Sequence, residues 1–251
     1  MKYLYFLLLF IILFIYILFK STGLSSNVMK NLLIGCYYIA FRASFYKDKS
    51  SCIKSGLEPL LNSLNIKINK YGLIENNLPT LYIVNHQTYL DSLILKLLKP
   101  KVSMIAKSHI ANDFSIIKGI SKSILNNWGV ILYEFGNKES GKNVRKLIKE
   151  NIQAGKSILI YPEGTAHAYE GLKNFYKGSF EVAYENNLLI QPITIKYLTD
   201  ITWGEKLPYS KDYNLDIISN VNKCEKNDLN EVNVTFHPII NSGKFDNADH
   251  L

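Results

Sequence analysis

Two regimes of apolar and polar positions divide the chain. From Leu81 onward, apolar runs of strand length recur at Leu81–Val84, Val102–Ala106, Gly129–Tyr133, Ser157–Tyr161 and Ile190–Tyr197. Between them, apolar residues fall at helical spacing over Asp91–Leu98, Asp113–Ile124, Lys142–Ala154 and Ser179–Asn186. Strands alternating with helices predict an α/β domain with a largely parallel mixed sheet and flanking helices. Gly155 directly follows one helical pattern and suits a helix stop. Pro208 to Asn230 is polar and loop-rich, and the alternation of Val232 to Ile239 predicts a late strand.

The N-terminal part follows another pattern. Tyr3 to Phe19 is continuously apolar, with Lys2 before it and Lys20 after it. A hydrocarbon core takes roughly 17–25 residues to span, so this run just reaches the needed length. A cleaved signal peptide is the alternative, but the run is long for a signal core and KSTGLSS offers no A-x-A-like site. Asn27 to Tyr46 is also apolar, interrupted by Lys30 and Arg42. It suits either an interfacial segment with its tyrosines and arginine at headgroup level, or a helix packed on the first as a hairpin. Residues 1–46 are therefore expected to anchor the chain in a membrane. Residues 47–79 then form a helical connection, with a helix near Ser55–Leu64, and residues 80–251 form the α/β domain.

Charge and cysteine content refine this picture. The formal net charge is +8. One lysine precedes the apolar run, while Lys20, Lys30, Arg42, Lys47, Lys49 and Lys54 follow it, so the positive-inside rule puts the domain on the cytoplasmic side. Lysine is dispersed, with no nucleic-acid module, and a basic face beside an anchor suits anionic lipid instead. Cys36, Cys52 and Cys224 show neither pairing nor metal spacing, as expected in a reducing compartment. His109, His167, His237 and His250 likewise make no metal spacing.

The chemistry concentrates at NHQTYLD, Asn85 to Asp91, where a strand pattern turns into a helical one. Ligands of α/β sheets sit beyond the carboxyl ends of strands. A histidine there suits a general base, and a carboxylate suits the group that fixes its tautomer. Five residues on one helix would point His86 and Asp91 apart. They meet only if His86 precedes the helix and Asp91 lies in its first turn. Thr88-x-x-Asp91 also has the form of a capping box, which would give the carboxylate a structural task instead. A second polar turn, Pro162 to Thr165, follows the run at Ser157–Tyr161. Its Gly-Thr backbone suits an anionic oxygen.

Together these blocks resemble the glycerolipid acyltransferase family, of the 1-acylglycerol-3-phosphate acyltransferase type. NHQTYLD matches its N-H-x-x-x-x-D block, and YPEGTAH (Tyr161 to His167) its F-P-E-G-T-R-S block. GVILYEF (Gly129 to Phe135), FYKGSF (Phe175 to Phe180) and IQPITI (Ile190 to Ile195) match the remaining blocks in order. The resemblance implies direct transfer of a fatty acyl group from acyl-CoA or acyl carrier protein, both substrates rather than cofactors, to a lysolipid hydroxyl. In this scheme His86 is the base and Asp91 its partner. Asn85, Glu163, Gly164, Thr165 and Lys177 would bind substrate, with neither metal nor nucleic acid involved. No G-x-S-x-G elbow favours a hydrolase.

Two departures bear on the acceptor. The family's arginine in the middle block falls on Phe135, and the one after E-G-T falls on Ala166. A guanidinium fork suits phosphate, and lysine is a looser substitute. Lys138, Arg145, Lys173 and Lys177 are the candidate replacements. Gln191-Pro192 and Trp203-Gly204 resemble lyso-ornithine lipid acyltransferases of the same superfamily, whose acceptor would not need the arginines.

Overall fold

The computed structural model describes residues 25–73, 78–108, 124–134, 136–166, 171–199, 221 and 223–248. The expected anchor Tyr3–Phe19, most of the expected helix Asp113–Ile124, most of the loop Pro208–Asn230, and Phe135, His109, His167, Trp203 and His250 lie outside them. Among the described residues no helix is long and apolar enough to cross a membrane.

Among the described residues, five helices and eight strands carry the fold. The helices are α1 (Ser26–Cys36), α2 (Ser50–Ser63), α3 (Leu90–Leu98), α4 (Lys138–Gln153) and α5 (Gly178–Glu185). The strands are β1 (Ile66–Tyr71), β2 (Thr80–Val84), β3 (Ser103–Lys107), β4 (Val130–Tyr133), β5 (Ile158–Ile160), β6 (Leu189–Tyr197), β7 (Asn230–Phe236) and β8 (Ile240–Asn241). They form one sheet in the order β1-β7-β6-β2-β5-β3-β4, with β8 also on β6. The five strands from β6 to β4 pair in parallel, whereas β7 and β8 run antiparallel to β6. The expected mixed, largely parallel sheet is thus the observed one.

β2 lies between β5 and β6, which explains its unbroken apolar run, since all five of its residues are buried. Successive side chains alternate between faces. Tyr82 and Val84 join a core with Leu60 and Leu61 of α2 and with Ile94 and Leu95 of α3. Leu81 and Ile83 join a second core with Ile148 of α4 and Val182 and Ala183 of α5. Each such fully buried aliphatic side chain contributes about 1.5–3 kcal/mol.

Two elements differ from the sequence pattern. Ile66–Tyr71 lies within the stretch expected to be a helical connection, yet it is a strand paired in parallel with β7. Its sequence IKINKY carries only two aliphatic residues, so edge pairing rather than an apolar run defines it. α4 starts four residues earlier than the apolar pattern, at Lys138, because the Asn137 side chain accepts from the backbone N–H groups of Glu139 and Ser140. It ends as expected, with Gly155 at φ +74°, a conformation that glycine adopts without strain.

Upstream, α1 continues through a π-helical turn, Tyr37–Phe41, into a 3-10 turn, Arg42–Phe45. Asn127 fastens this segment to the body: its amide donates to Ile39 O (2.7 Å) and to Ser44 Oγ (3.0 Å).

Candidate active site

β2 ends at Val84 and α3 begins at Leu90, leaving His86 in the connecting turn and Asp91 at the second helical residue. That arrangement folds the carboxylate back under the imidazole. His86 Nδ1 lies 2.9 Å from Asp91 Oδ2. The same oxygen accepts from the backbone N–H groups of Gln87 (2.7 Å) and Thr88 (3.0 Å). The expected capping box is only half formed: the carboxylate takes the backbone N–H of Thr88, while Asp91 N donates to Thr88 O and not to its hydroxyl, so one carboxylate holds both the turn and the histidine. Three donors converge on Oδ2, so the proton of the imidazole resides on Nδ1, and Nε2 is left with its lone pair. Asp91 is 0 % exposed, and the His86 side chain 15 %.

The other carboxylate oxygen has a partner from a distant strand. The Tyr197 hydroxyl, at the end of β6, donates to Asp91 Oδ1 at 2.6 Å. On its other side the imidazole lies face to face with Tyr161, ring centroids 3.9 Å apart and planes 15° from parallel. The Tyr161 hydroxyl is fixed in turn by Ser92 Oγ on α3 (3.1 Å). Burial, and then the charge of Asp91, push both tyrosines well above the usual phenol value, so each remains a neutral hydroxyl.

The remaining residues of the two motifs fasten the loops. Asn85 uses its side-chain amide like a strand residue: Nδ2 donates to Ile195 O (2.9 Å), and Oδ1 accepts from Ile195 N (2.8 Å). Glu163 is buried; Oε1 accepts from His86 N (2.9 Å) and Oε2 from Lys173 N (2.8 Å). One carboxylate thus ties the histidine turn to the loop before α5. Gly164 donates its N–H to Tyr161 O (3.0 Å), so this amide closes the turn. It has φ +68°, and a Cβ there would stand 2.7 Å from the Tyr176 ring, so only glycine fits. The Thr165 hydroxyl has a long contact with Ala166 O (3.5 Å). Lys177 stands at the start of α5, exposed.

His86, Asp91 and Glu163 are thus joined in one hydrogen-bonded cluster, beside which Asn85 fastens the turn to β6, and Tyr161, Tyr197, Ser92 and the Lys173 backbone are additions from the fold. Tyr197 did leave a trace in the sequence. It continues the inward row Ile193–Ile195 of β6 by one more step of two, where an aliphatic residue would serve packing alone. Gln191 is buried, and its amide donates to Leu73 O (2.7 Å) and His237 O (3.1 Å). It braces the scaffold.

Lysines lie on the same edge of the sheet. Lys107 ends β3, and burial, followed by the charge of Lys173, holds it below the usual lysine value.

This fold and this motif arrangement are those of acyltransferases. A sequence model of the acyltransferase family matches residues 65–196, so the chain belongs to that family, and is of its glycerolipid type. The chain is 34 % identical over 134 residues to the chloroplastic 1-acyl-sn-glycerol-3-phosphate acyltransferase of Arabidopsis thaliana, covering 51 % of this chain and 36 % of that one. It is 23 % identical over 171 residues to the lyso-ornithine lipid O-acyltransferase of Pseudomonas aeruginosa, covering 68 % and 63 %. The chain therefore spans between about a third and two thirds of the length of these relatives. The crystal structure of the 1-acyl-sn-glycerophosphate acyltransferase of Thermotoga maritima shares the fold, with a TM-score of 0.53, 15 % identity, and coverage of 88 % and 89 %.

Proposed function

We propose that this chain transfers a fatty acyl group from acyl-CoA or acyl carrier protein to the hydroxyl of a lysolipid, with His86 as general base. The observation that carries this reading is the contact of His86 Nδ1 with a carboxylate already held by two backbone amides. It leaves Nε2 as the basic nitrogen. Nε2 takes the proton of the acceptor hydroxyl as its oxygen attacks the thioester carbonyl. Asp91 holds the imidazolium that results. Collapse of the tetrahedral intermediate expels the thiolate, which recovers the proton from the imidazolium. Tyr161 sets the plane of the ring, and Glu163 and Asn85 hold the turn that carries it. Their role is orientation, and such positioning accounts for a large part of many enzymatic accelerations.

The favoured acceptor carries an anionic head, as in lysophosphatidic acid. Lys107 and Lys173 are close enough for the charge of one to depress the other, an arrangement that an anion between them would relieve. This assigns to lysine the work that the family's arginines do, and adds Lys107 to the replacements drawn from the motifs. Gly164, Thr165 and Lys177 belong to the same rim in this reading.

A second observation supports membrane contact in this reading. Tyr37, Phe41 and Phe45 lie exposed on consecutive turns, each ring against the next, with Arg42 over Tyr46. An exposed aromatic row beside cations suits a lipid headgroup layer. Tyr3–Phe19 would add a retained anchor, with the α/β domain on the cytoplasmic side.

The test is an acyl-transfer assay in detergent with labelled acyl-CoA or acyl carrier protein, and lysophosphatidic acid, lyso-ornithine lipid and an uncharged lysolipid as acceptors. Product is expected from lysophosphatidic acid, with a loss on the order of 10³-fold in His86→Ala. Product from lyso-ornithine lipid alone moves the acceptor and keeps the mechanism. An unchanged rate in His86→Ala removes His86 as the base.

A further inference from the structure

Around the His86–Asp91 pair, one contact has no counterpart in the matched motifs. Asp91 Oδ1 faces away from the imidazole, and in a fully buried carboxylate a bare oxygen would be costly. The Tyr197 hydroxyl fills that place at 2.6 Å, reaching in from β6, 106 residues along the chain from Asp91. We propose that Tyr197 is a positioning residue for acyl transfer: its donation to Oδ1 locks the rotamer of Asp91 and sets how strongly the carboxylate holds a protonated His86. The inference rests on the reading of His86 as the base.

The physical argument has two parts. A carboxylate with one oxygen held by two amides and the other by a phenol has a single orientation, so Oδ2 stays aimed at Nδ1. Each hydrogen bond to the carboxylate also withdraws charge that would otherwise stabilise the imidazolium. Tyr197 therefore moderates the hold of the carboxylate on the imidazolium, which eases passage of the proton to the leaving thiolate. The titratable neighbours leave this role to Tyr197. Tyr161, from the end of β5, stacks on the ring and spends its hydroxyl on Ser92. Glu163, in the turn after β5, meets the backbone N–H of His86. Cys224 is buried behind Tyr197, its thiol pushed up to about 11 by that burial, and so carries no charge near neutrality.

Substitution of Tyr197 by Phe and by 3,5-difluorotyrosine tests the inference from opposite sides. The phenylalanine keeps the ring and removes the donor, while the fluorinated phenol is the stronger donor. Ring-labelled histidine followed by NMR, with the His86 signal assigned by its loss in His86→Ala, reads the protonation of the imidazole without turnover. The midpoint of the Phe variant should lie above that of the wild type, and that of the difluorotyrosine variant below it. The acid limit of kcat/KM should move with the signal. kcat of the Phe variant should fall on the order of tenfold with little change in KM, since only the base is misaligned. Thermal unfolding of both variants confirms the fold. A midpoint unmoved in the Phe variant, or moved the same way by both substitutions, overturns the inference. Full activity in His86→Ala removes the base assignment instead, and the two failures are separate.

Discussion

Two regions of this protein reverse the ordinary partition of residues, in opposite senses. Around Asp91, charge and hydrogen-bonding groups are buried. Along Tyr37–Phe45, aromatic rings stand in the open, Phe41 60 % and Phe45 74 % exposed. The buried region is closed on itself. Both oxygens of Asp91 have donors, as do both oxygens of Glu163, and both amide atoms of Asn85 are used. Buried polar groups persist only when satisfied in this way, and here the satisfied network holds one imidazole nitrogen available for chemistry. The aromatic row is open, its rings meeting one another on an exposed face. In the proposed function the closed polar cluster is the reaction centre, and the open apolar one is the surface for lipid to cover.

Breaking the buried side should give the larger effects. Asp91→Asn replaces an oxygen acceptor with an amide whose N–H₂ must face donors. Transfer should fall on the order of 10²-fold, and urea unfolding should show a loss of about 1–3 kcal/mol, since the same carboxylate holds the Gln87 and Thr88 amides of the turn before α3. Loss of activity without loss of stability would mean that these backbone contacts are dispensable. Smaller and of another kind is the effect of Phe41→Ser combined with Phe45→Ser. Partition onto anionic vesicles, followed by sedimentation, should fall on the order of tenfold, while turnover on detergent-dispersed substrate stays unchanged. A matching fall in both assays would mean that the row supports the fold instead of a lipid surface.

The smallest effect concerns a buried charge outside the cluster. Lys96 on α3 is 2 % exposed and donates to Val102 O (2.5 Å) and Trp128 O (2.6 Å). Burial lowers it to about 7 from 10.5. Its value in the folded chain thus lies below that in the unfolded chain. Between about pH 7 and 10.5 the unfolded chain binds the extra proton, so Lys96 makes stability rise with pH across that window. In Lys96→Met the rise between pH 7 and pH 9, measured by urea unfolding, should be shallower than in the wild type. An equal slope in both proteins would mean that Lys96 stays charged in the fold.

Much of this was legible beforehand, for reasons that particular residues make plain. Central strands buried on both faces need continuous apolar runs, so β2 and β5 stood out in the sequence. β1 did not, because an edge strand is defined by its partner. His86 and Asp91 were legible because they lie five residues apart across one strand-to-helix change, so local geometry brings them together. Glu163 was legible as a member of the site, but its contacts were not, since they run to His86 N and Lys173 N from elsewhere in the chain.

By itself, then, the sequence determined the α/β alternation and the turn that joins a histidine to a carboxylate, both of which depend on neighbours within a few residues. The tertiary structure alone decided which hydroxyl meets Asp91 Oδ1, which ring lies over His86, and which loop Glu163 ties down. Those contacts depend on strand order: β5 and β6 flank β2 on opposite sides and carry Tyr161 and Tyr197 to the same histidine turn. Pairing between strands roughly 75 to 110 residues apart leaves no local periodicity to read.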